Sequence, residues 1–371
     1  MGTSGICVGV ATTVIPRRRV QAGVTVDRPS LHYCRMAQFV SRWGAEFILF
    51  DPVHVRWSQG FVEAWSPVNP LRPFGNWQRV RQGLPDTIYE NVFVHLAVQG
   101  YTRELRHRAA DHGIPLFNPP LPNKWVTSQW LVGTEVSRFI PPAVKMGGDA
   151  GGVSRIRQWG TAYVKPVGGY GGMGVTRIES LPKGRYRLST DRSRSGNRLR
   201  QVVGETQLRT WLGKHDGHFM LQQGLNLMTL NDRKVDFRVV VQRNIEGQWN
   251  LVGIVPKIAA VDGVVTNLVA GGERLALDQC RVLAAREGKS IHVDELTDAA
   301  LEMGRVVSRR YPMTGLLGYD MGMTEDGKVW MIEINPKPAR SLLTDEMRRQ
   351  SAHYSAGFSV YLARKAARVR A

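Results

Sequence analysis

The chain has 371 residues, 43% of them hydrophobic and 22% charged, with 50 Lys and Arg against 31 Asp and Glu for a formal charge of +19. That length exceeds one ordinary core and predicts two or three domains, while no apolar run approaches the roughly 18 residues that span a bilayer, which argues against membrane insertion. The surplus of cations attracts polyanions of any sequence, so nucleic acid and acidic polymers both stay among the partners to be weighed.

Residues 6–10 read as a strand. The apolar run ICVGVATTVI is followed, not preceded, by Arg17, Arg18 and Arg19, the wrong polarity for a secretory signal, so a cytoplasmic location is expected. In SLHYCRMAQFVSRWG, Leu31, Cys34, Ala37 and Val40 share one helical face that ends at Gly44, and AEFILFDP follows as a buried strand. A second unit comes from DTIYEN, then YTRELRHRAADHG as a helix stopped by Gly113, then IPLFNPP as a strand closed by prolines. Strands alternating with helices predict a parallel α/β layer over residues 1–117. Residues 52–84, with Trp57, Trp65 and Trp77 among prolines, lack a clear period and receive no element. Cys7, Cys34 and Cys280 lie too far apart for a zinc motif or a disulfide framework and are expected to be reduced, buried thiols.

From Asn118 the character changes. NPPLPNKWVTSQWLVG reads as a turn into a helix and residues 139–142 as an extended exit; strands are then expected at 162–166 and 175–178. A basic, hairpin-like excursion over 183–200 leads to the short helix ETQLRTWLG and the strand FMLQQGL. VDFRVVVQ and WNLVGIVPKIAAVDGVVTNLVAGGE read as strands, with Asp262-Gly263 as a hairpin turn signal. A helix over 294–310 precedes LLGYDMGMTEDGKVWMIEINPKP, and residues 344–368 form a basic helical tail.

Two stretches carry chemistry. YVKPVGGYGGMGV spells G-x-G-x-x-G at Gly169, Gly171 and Gly174, but the following VTRIES reads as a strand, whereas a dinucleotide site needs a helix there. A kinase places its lysine after the glycines, and here Lys165 precedes them. The pattern suits a glycine-rich hairpin lid whose bare amides close on phosphates while Lys165 reaches the same oxygens; a plain surface hairpin is the alternative. In the second stretch, Asp326-Gly327 marks a two-residue turn, which makes Glu325 oppose Lys328 and Asp320 oppose Glu333. Facing carboxylates are unfavourable without compensation, and Asn335 shares their face, so the three oxygens point to a hard-cation site suited to Mg²⁺. Tyr319, Met321, Met323, Trp330, Ile332 and Ile334 are then expected on the opposite, core-facing side.

Together, Lys165-Pro166 with its glycine loop and Asp320…Glu333-x-Asn335 resemble the ATP-grasp superfamily of carboxylate-amine and carboxylate-thiol ligases. VDFRVVVQ, TNLVAGGE and GYDMGMTEDGKVWMIEINPKP are most similar to its endospore coat-associated YheC/YheD family. The resemblance implies an α/β (α+β) fold in which two subdomains clamp ATP behind a Rossmann-like pre-ATP-grasp domain. The divisions expected are 1–117, 118–218 with the lid, 219–343 with the metal site, and the tail 344–371. It also implies ATP with Mg²⁺ or Mn²⁺. Lys124, Lys165 and the loop glycines Gly169, Gly171, Gly172 and Gly174 would hold phosphates. Gln222, Gln223 and Leu225 would form the adenine hinge, though many members carry an acidic residue where the two glutamines stand. Arg238 would serve as a γ-phosphate ligand, Lys257 would stand in place of an arginine, and Asn267 would lie near the phosphates and a second metal; Gly271-Gly272 would let substrate approach. Asp320, Glu333 and Asn335 would bind metal. Read from the residues alone, Arg238 among valines needs an anionic partner, and Asp236 is the candidate for a structural ion pair.

The implied reaction transfers the γ-phosphoryl group of ATP to a carboxylate, after which an amine displaces phosphate. Carboxylate and amine are unspecified, with an acidic peptide or polymer suited to the charge and the spore coat as an associated structure. A coat assembly protein that binds ATP without turnover and a basic nucleic-acid-binding protein remain the rival readings.

Overall fold

The computed structural model describes residues 5–21, 24–92, 100–147, 151–168, 174–191, 198–215 and 217–370. Strand β1 (Cys7–Ala11) is buried at every position because both of its faces are covered. Gly9 at its centre is obligatory, since a Cβ there would stand 2.8 Å from Pro85 Cγ. A separate hairpin, β2 (Arg17–Gln21) and β3 (Val24–Arg28), takes up the arginine run. Then come helix α1 (Leu31–Arg42), β4 (Glu46–Phe50), β5 (Val55–Arg56), β6 (Phe61–Pro67), β7 (Trp77–Gly83), β8 (Thr87–Glu90), α2 (Tyr101–Asp111) and β9 (Leu116–Phe117).

The first sheet has the order β5-β6-β4-β1-β8-β9, with β7 added to β6. β4, β1, β8 and β9 run parallel, as the alternation of strands and helices predicts. The tryptophan-rich section corrects the expectation of a purely parallel layer, because β6 pairs antiparallel with β4, β5 and β7. Its period was hidden because little of β7 is buried: after Trp77, whose indole donates to the Pro73 carbonyl at 2.8 Å, every residue of that strand is exposed or half-buried.

After α3 (Lys124–Gln129), capped by the Asn123 side chain, the chain builds a second sheet. Its elements are β10 (Ala143–Lys145), α4 (Gly152–Trp159), β11 (Thr161–Pro166), β12 (Thr176–Leu181), β13 (Arg185–Asp191), β14 (Arg198–Gly204), α5 (Glu205–Gly213) and β15 (Phe219–Gln223). The order β10-β15-β11-β12-β13-β14 is antiparallel throughout, and α4 and α5 cover one face over Ala162, Val164, Ile178 and Leu188.

The third sheet holds β16 (Thr229–Leu230), β17 (Arg233–Arg243), β18 (Trp249–Ile258), β19 (Glu273–Arg274), β20 (Leu316–Met323) and β21 (Val329–Asn335), in the order β19-β18-β17-β20-β21. Asp262-Gly263 does form a turn, with Asp262 at φ 58°, but it closes no hairpin: β18 pairs with β19, leaving a loop over 259–272. Helix α6 (Leu277–Arg286) was not foreseen; α7 (Val293–Arg310) opens on Asp294 and Glu295 and closes on Arg309 and Arg310, each sign suited to its end of the helix dipole. Leu296, Ala299, Ala300, Met303, Val306 and Val307 repeat at helical spacing and pack on Val235, Phe237, Val239 and Val241 of β17.

The last helix, α8 (Asp345–Arg370), is more than a basic surface feature. Its Ala352, Ala356, Phe358, Val360 and Leu362 complete one core with α1, β1 and β4. It also meets β17, where buried Gln242 accepts from Ser351 Oγ at 3.0 Å and donates to Ser355 Oγ. The first and third sheets are thereby joined. Among the described residues no helix is long and apolar enough to cross a membrane.

Candidate functional site

The alternation of β17 explains the site. Val235, Phe237 and Val239 face α7, so Asp236 and Arg238 emerge together on the other side. Asp236 lies opposite Lys257 on β18, Arg238 opposite Asp320 on β20, and Asp320 opposite Glu333 on β21. A row of charge therefore crosses four strands. The Arg238 guanidinium donates twice to Asp320, Nε to Oδ1 at 2.8 Å and Nη2 to Oδ2 at 3.0 Å. Lys257 Nζ sits 2.9 Å from Asp320 Oδ1 and 3.0 Å from Asp236 Oδ1, and the Thr266 hydroxyl donates to Asp236 Oδ2. Lys124 Nζ reaches Glu333 Oε1 at 3.1 Å.

Two expectations are corrected here. The anion that holds Arg238 is Asp320, while Asp236 pairs with Lys257. The facing carboxylates Asp320 and Glu333 also need no metal to coexist, because Arg238 and Lys257 neutralise one and Lys124 the other. The titration of the group follows from this packing. Burial would raise the Asp320 pKa, but Lys257 and Arg238 outweigh it and hold the carboxyl well below its usual range. Burial also opposes the charge on Lys257, yet Asp236 and Asp320 keep its pKa raised; Asp236 itself is raised by burial.

The pairing of Asp320 with Glu333 was expected, but by a different route. Thr324, not Glu325, opposes Lys328, with Thr324 N–H donating to Lys328 O at 3.0 Å, so the loop has three residues and Gly327 takes φ 84°. A β-bulge between Asp320 and Met321 then restores the register. Its extra residue, Ile332, leaves the core-facing side and lines the cleft next to Glu333, and Trp330 is likewise only half-buried. Tyr319, Met321, Met323 and Ile334 do face the core.

The cleft between the second and third sheets holds about 110 Å³ of cavity and opens to solvent. Lys124, Lys165, Gln222, Gln223, Leu225, Lys257, Asn267, Asp320 and Glu333 from the sequence reading all line it. Arg238 stands behind Asp320, and Asn335 opposes Gly318 two residues beyond Glu333. Gly174, at φ 74°, adjoins Pro166 across the base of the loop, whereas Gly169, Gly171 and Gly172 lie outside the described residues. Lys165 donates to Gln222 Oε1, and burial lowers its pKa to about 8. Gly271 has φ 84°, and a side chain on Gly272 would collide with the Thr266 carbonyl, so both glycines of that turn are required by its path.

Several cleft residues escaped the sequence reading. Lys234 donates to Tyr163 Oη at 2.9 Å, joining the two sheets across the opening. A signal existed, since Lys234, Asp236 and Arg238 alternate on one face of β17, as do Tyr163 and Lys165 on β11. The Asp191 carboxylate accepts from the amides of Val264 at 2.8 Å and Val265 at 3.1 Å, stitching β13 to the 259–272 loop.

A divalent cation in the cleft would meet few donors. Among the described residues no three His, Cys, Asp or Glu side chains are grouped to hold one unaided. Glu333 and Asp320 add two carboxylates, and Asn335 Nδ2 is buried without a partner. Exchanging its amide oxygen and nitrogen replaces that orphaned donor by a third hard oxygen. Such a set suits a hard divalent cation once an incoming anion draws Lys124 from Glu333 and Lys257 and Arg238 from Asp320.

Residues 113–362 match the family described as YheC/D-like ATP-grasp. The endospore coat-associated protein YheD of Bacillus subtilis is 25% identical over 338 residues, covering 86% of this chain and 71% of that protein. Endospore coat-associated protein YheC of the same organism is 23% identical over 319 residues, 82% of this chain and 84% of that protein. Among solved structures, D-alanyl-alanine synthetase A of Vibrio cholerae aligns at a TM-score of 0.49 with 10% identity, over 98% of this chain and 99% of that one. A family match over this much of the sequence, centred on the sheets that build the cleft, establishes that the chain belongs to the YheC/D-like ATP-grasp family and has the ATP-grasp fold.

Proposed function

We propose that the protein is an ATP-dependent carboxylate–amine ligase that acts in the cytoplasm in connection with the endospore coat. One observation carries this reading. Lys124, Lys165, Lys257 and Arg238 gather with Asp236, Asp320 and Glu333 around one cleft, so the site is net positive before a polyanion arrives. In the reaction, the γ-phosphorus–oxygen bond to ADP breaks as a substrate carboxylate oxygen attacks, giving an acylphosphate and ADP. The amine then attacks the acyl carbon, phosphate leaves, and the amine proton passes to solvent.

The chain's own residues position and neutralise. Lys124 and Lys165 bind phosphate oxygens, Gln222, Gln223 and Leu225 take the adenine edge, and Arg238 with Lys257 meets charge that develops on the transferring group. Asn267 orients the phosphates, and Gly174 stands where the glycine loop rejoins β12. Glu333, Asn335 and Asp320 would hold the divalent cation, which when bound supplies positive charge shared between phosphate oxygens. We assign residues 1–117 to the pre-ATP-grasp domain, 118–218 and 219–343 to the two clamping subdomains, and 344–371 to the closing helix.

The test is ADP release and hydroxylamine trapping with MgATP and a broad panel of carboxylates and amines. An acylhydroxamate formed only with enzyme and ATP is the expected result. Tight ATP binding with neither ADP nor hydroxamate across the panel would sink the ligase reading and leave an ATP-binding coat assembly protein.

A further inference from the structure

A second cavity owes nothing to the cleft. A groove of about 590 Å³ runs between the end of α2, the end of α7 and the last turns of α8. Its apolar lining includes Ile114, Met313, Leu362 and Val369, of which Met313 and Val369 are exposed to 37% and 81%. Water-facing apolar area of this kind marks a contact surface when charged groups frame it. The charged side chains that line the groove are Arg243, Arg309 and Lys365, and among the described residues no carboxylate lines it.

Arg243 is the informative member. Its Nε donates to Gly247 O at 2.8 Å, its Nη1 to Pro312 O at 3.0 Å, and its guanidinium carbon stands 4.5 Å from the Phe358 ring centroid. Carbonyls and a ring hold it, but no carboxylate among the described residues does, and burial pulls its pKa down. A half-buried cation without an anion is costly, and the cost is relieved when a carboxylate arrives. Lys365 is exposed on α8 without an acidic partner among the described residues, while Arg309 already pairs with Glu135 at 2.5 Å.

We propose that this groove docks an acidic peptide segment whose carboxylates meet Arg243 and Lys365 and whose interspersed apolar side chains cover Met313 and Val369. The occupant follows from charge complementarity together with the apolar floor. A nucleic acid would meet the cations but leave that floor bare. The proposal is independent of ligase turnover, and it gives part of the +19 charge a location.

The experiment is fluorescence anisotropy with the full chain and a short labelled peptide alternating Glu with Leu. The comparison probes are the same peptide with Gln for Glu, an all-Glu peptide, and random duplex DNA. The alternating peptide is expected to bind best. Lys365→Glu and Met313→Asp, both at exposed positions, should each weaken it about tenfold, as loss of one well-placed interfacial contact does, with melting temperature and ATP affinity unchanged. Unaltered affinity in both variants would mean that the basic surface at large attracts the peptide and would overturn the proposal. Equal binding of the Gln peptide would overturn it too, as would DNA that binds better and is lost in the same variants.

Discussion

Two carboxylates, Glu90 at the carboxyl end of β8 and Asp320, 14% exposed in the cleft, are each gripped by two cations, yet they differ in which partner is out of water. Glu90 is only 2% exposed, but Lys337 Nζ at 3.1 Å and Arg106 Nε at 3.0 Å remain 31% and 32% exposed. At Asp320 the cations are sequestered as well, with Arg238 11% and Lys257 5% exposed. At Glu90, the seam between β8 and the chain after β21, solvent can take over from a missing carboxylate. In the cleft, positive charge is held where water screens it poorly, so its value to an incoming phosphate is greater. One network ties the β8 end to the chain after β21; the other keeps cations ready for a ligand.

The sharpest way to break this comparison is to remove the central anion from each. Asp320→Ala should destabilise the fold by about 3–5 kcal/mol, because two sequestered cations then share only Asp236. Urea unfolding followed by circular dichroism measures this, and a loss under 1 kcal/mol would contradict it. Glu333→Ala probes the ligand side alone. Its pair with Lys124 is half-exposed at 22% on each partner, so stability should shift by less than about 1 kcal/mol while ATP turnover falls by roughly 10²–10³-fold. Glu90→Gln should cost about 1–3 kcal/mol, since its cations can relax into water, and should leave ATP affinity unchanged by calorimetry. A loss of ATP affinity in that variant would join the two networks that the structure separates.

How much of this was visible in the chain depends on what sets each position. Period-2 alternation put Asp236 with Arg238 and Glu333 with Asn335, and the strand-loop-strand order around Lys165 is that of β11 and β12. The same alternation failed at Ile332, because a bulge inserts one residue, and a bulge leaves no mark in apolar pattern. Two one-residue differences, the longer turn and the bulge, cancelled between residues 320 and 333, so the facing pair was found although the register near Lys328 was not. Which acid holds which base was also hidden, since the partner of Arg238 is set by pairing of β17 with β20, 82 residues on. The Asp191 bridge to Val264 and Val265 joins a strand end to an irregular loop, and neither has a period to read.

The smallest expected effect lies at Lys165, and it separates the cleft from the seam by titration. Desolvation disfavours its charged form and lowers its pKa to about 8, so in the free protein the ammonium is present below that pH and lost above it. If Lys165 binds a phosphate oxygen, ATP affinity should fall as pH rises from 7 to 9, by about tenfold, the size of a charge-assisted hydrogen bond worth about 1.5 kcal/mol. Bound nucleotide favours the charged lysine, so the step belongs to the free protein and should appear in kcat/KM more than in kcat. Lys165→Arg keeps its charge throughout this range and should flatten the profile, whereas Glu90→Gln, which does not line the cleft, should leave it in place. A pH-independent affinity in the unaltered protein would show that Lys165 serves Gln222 and the hinge rather than the phosphates.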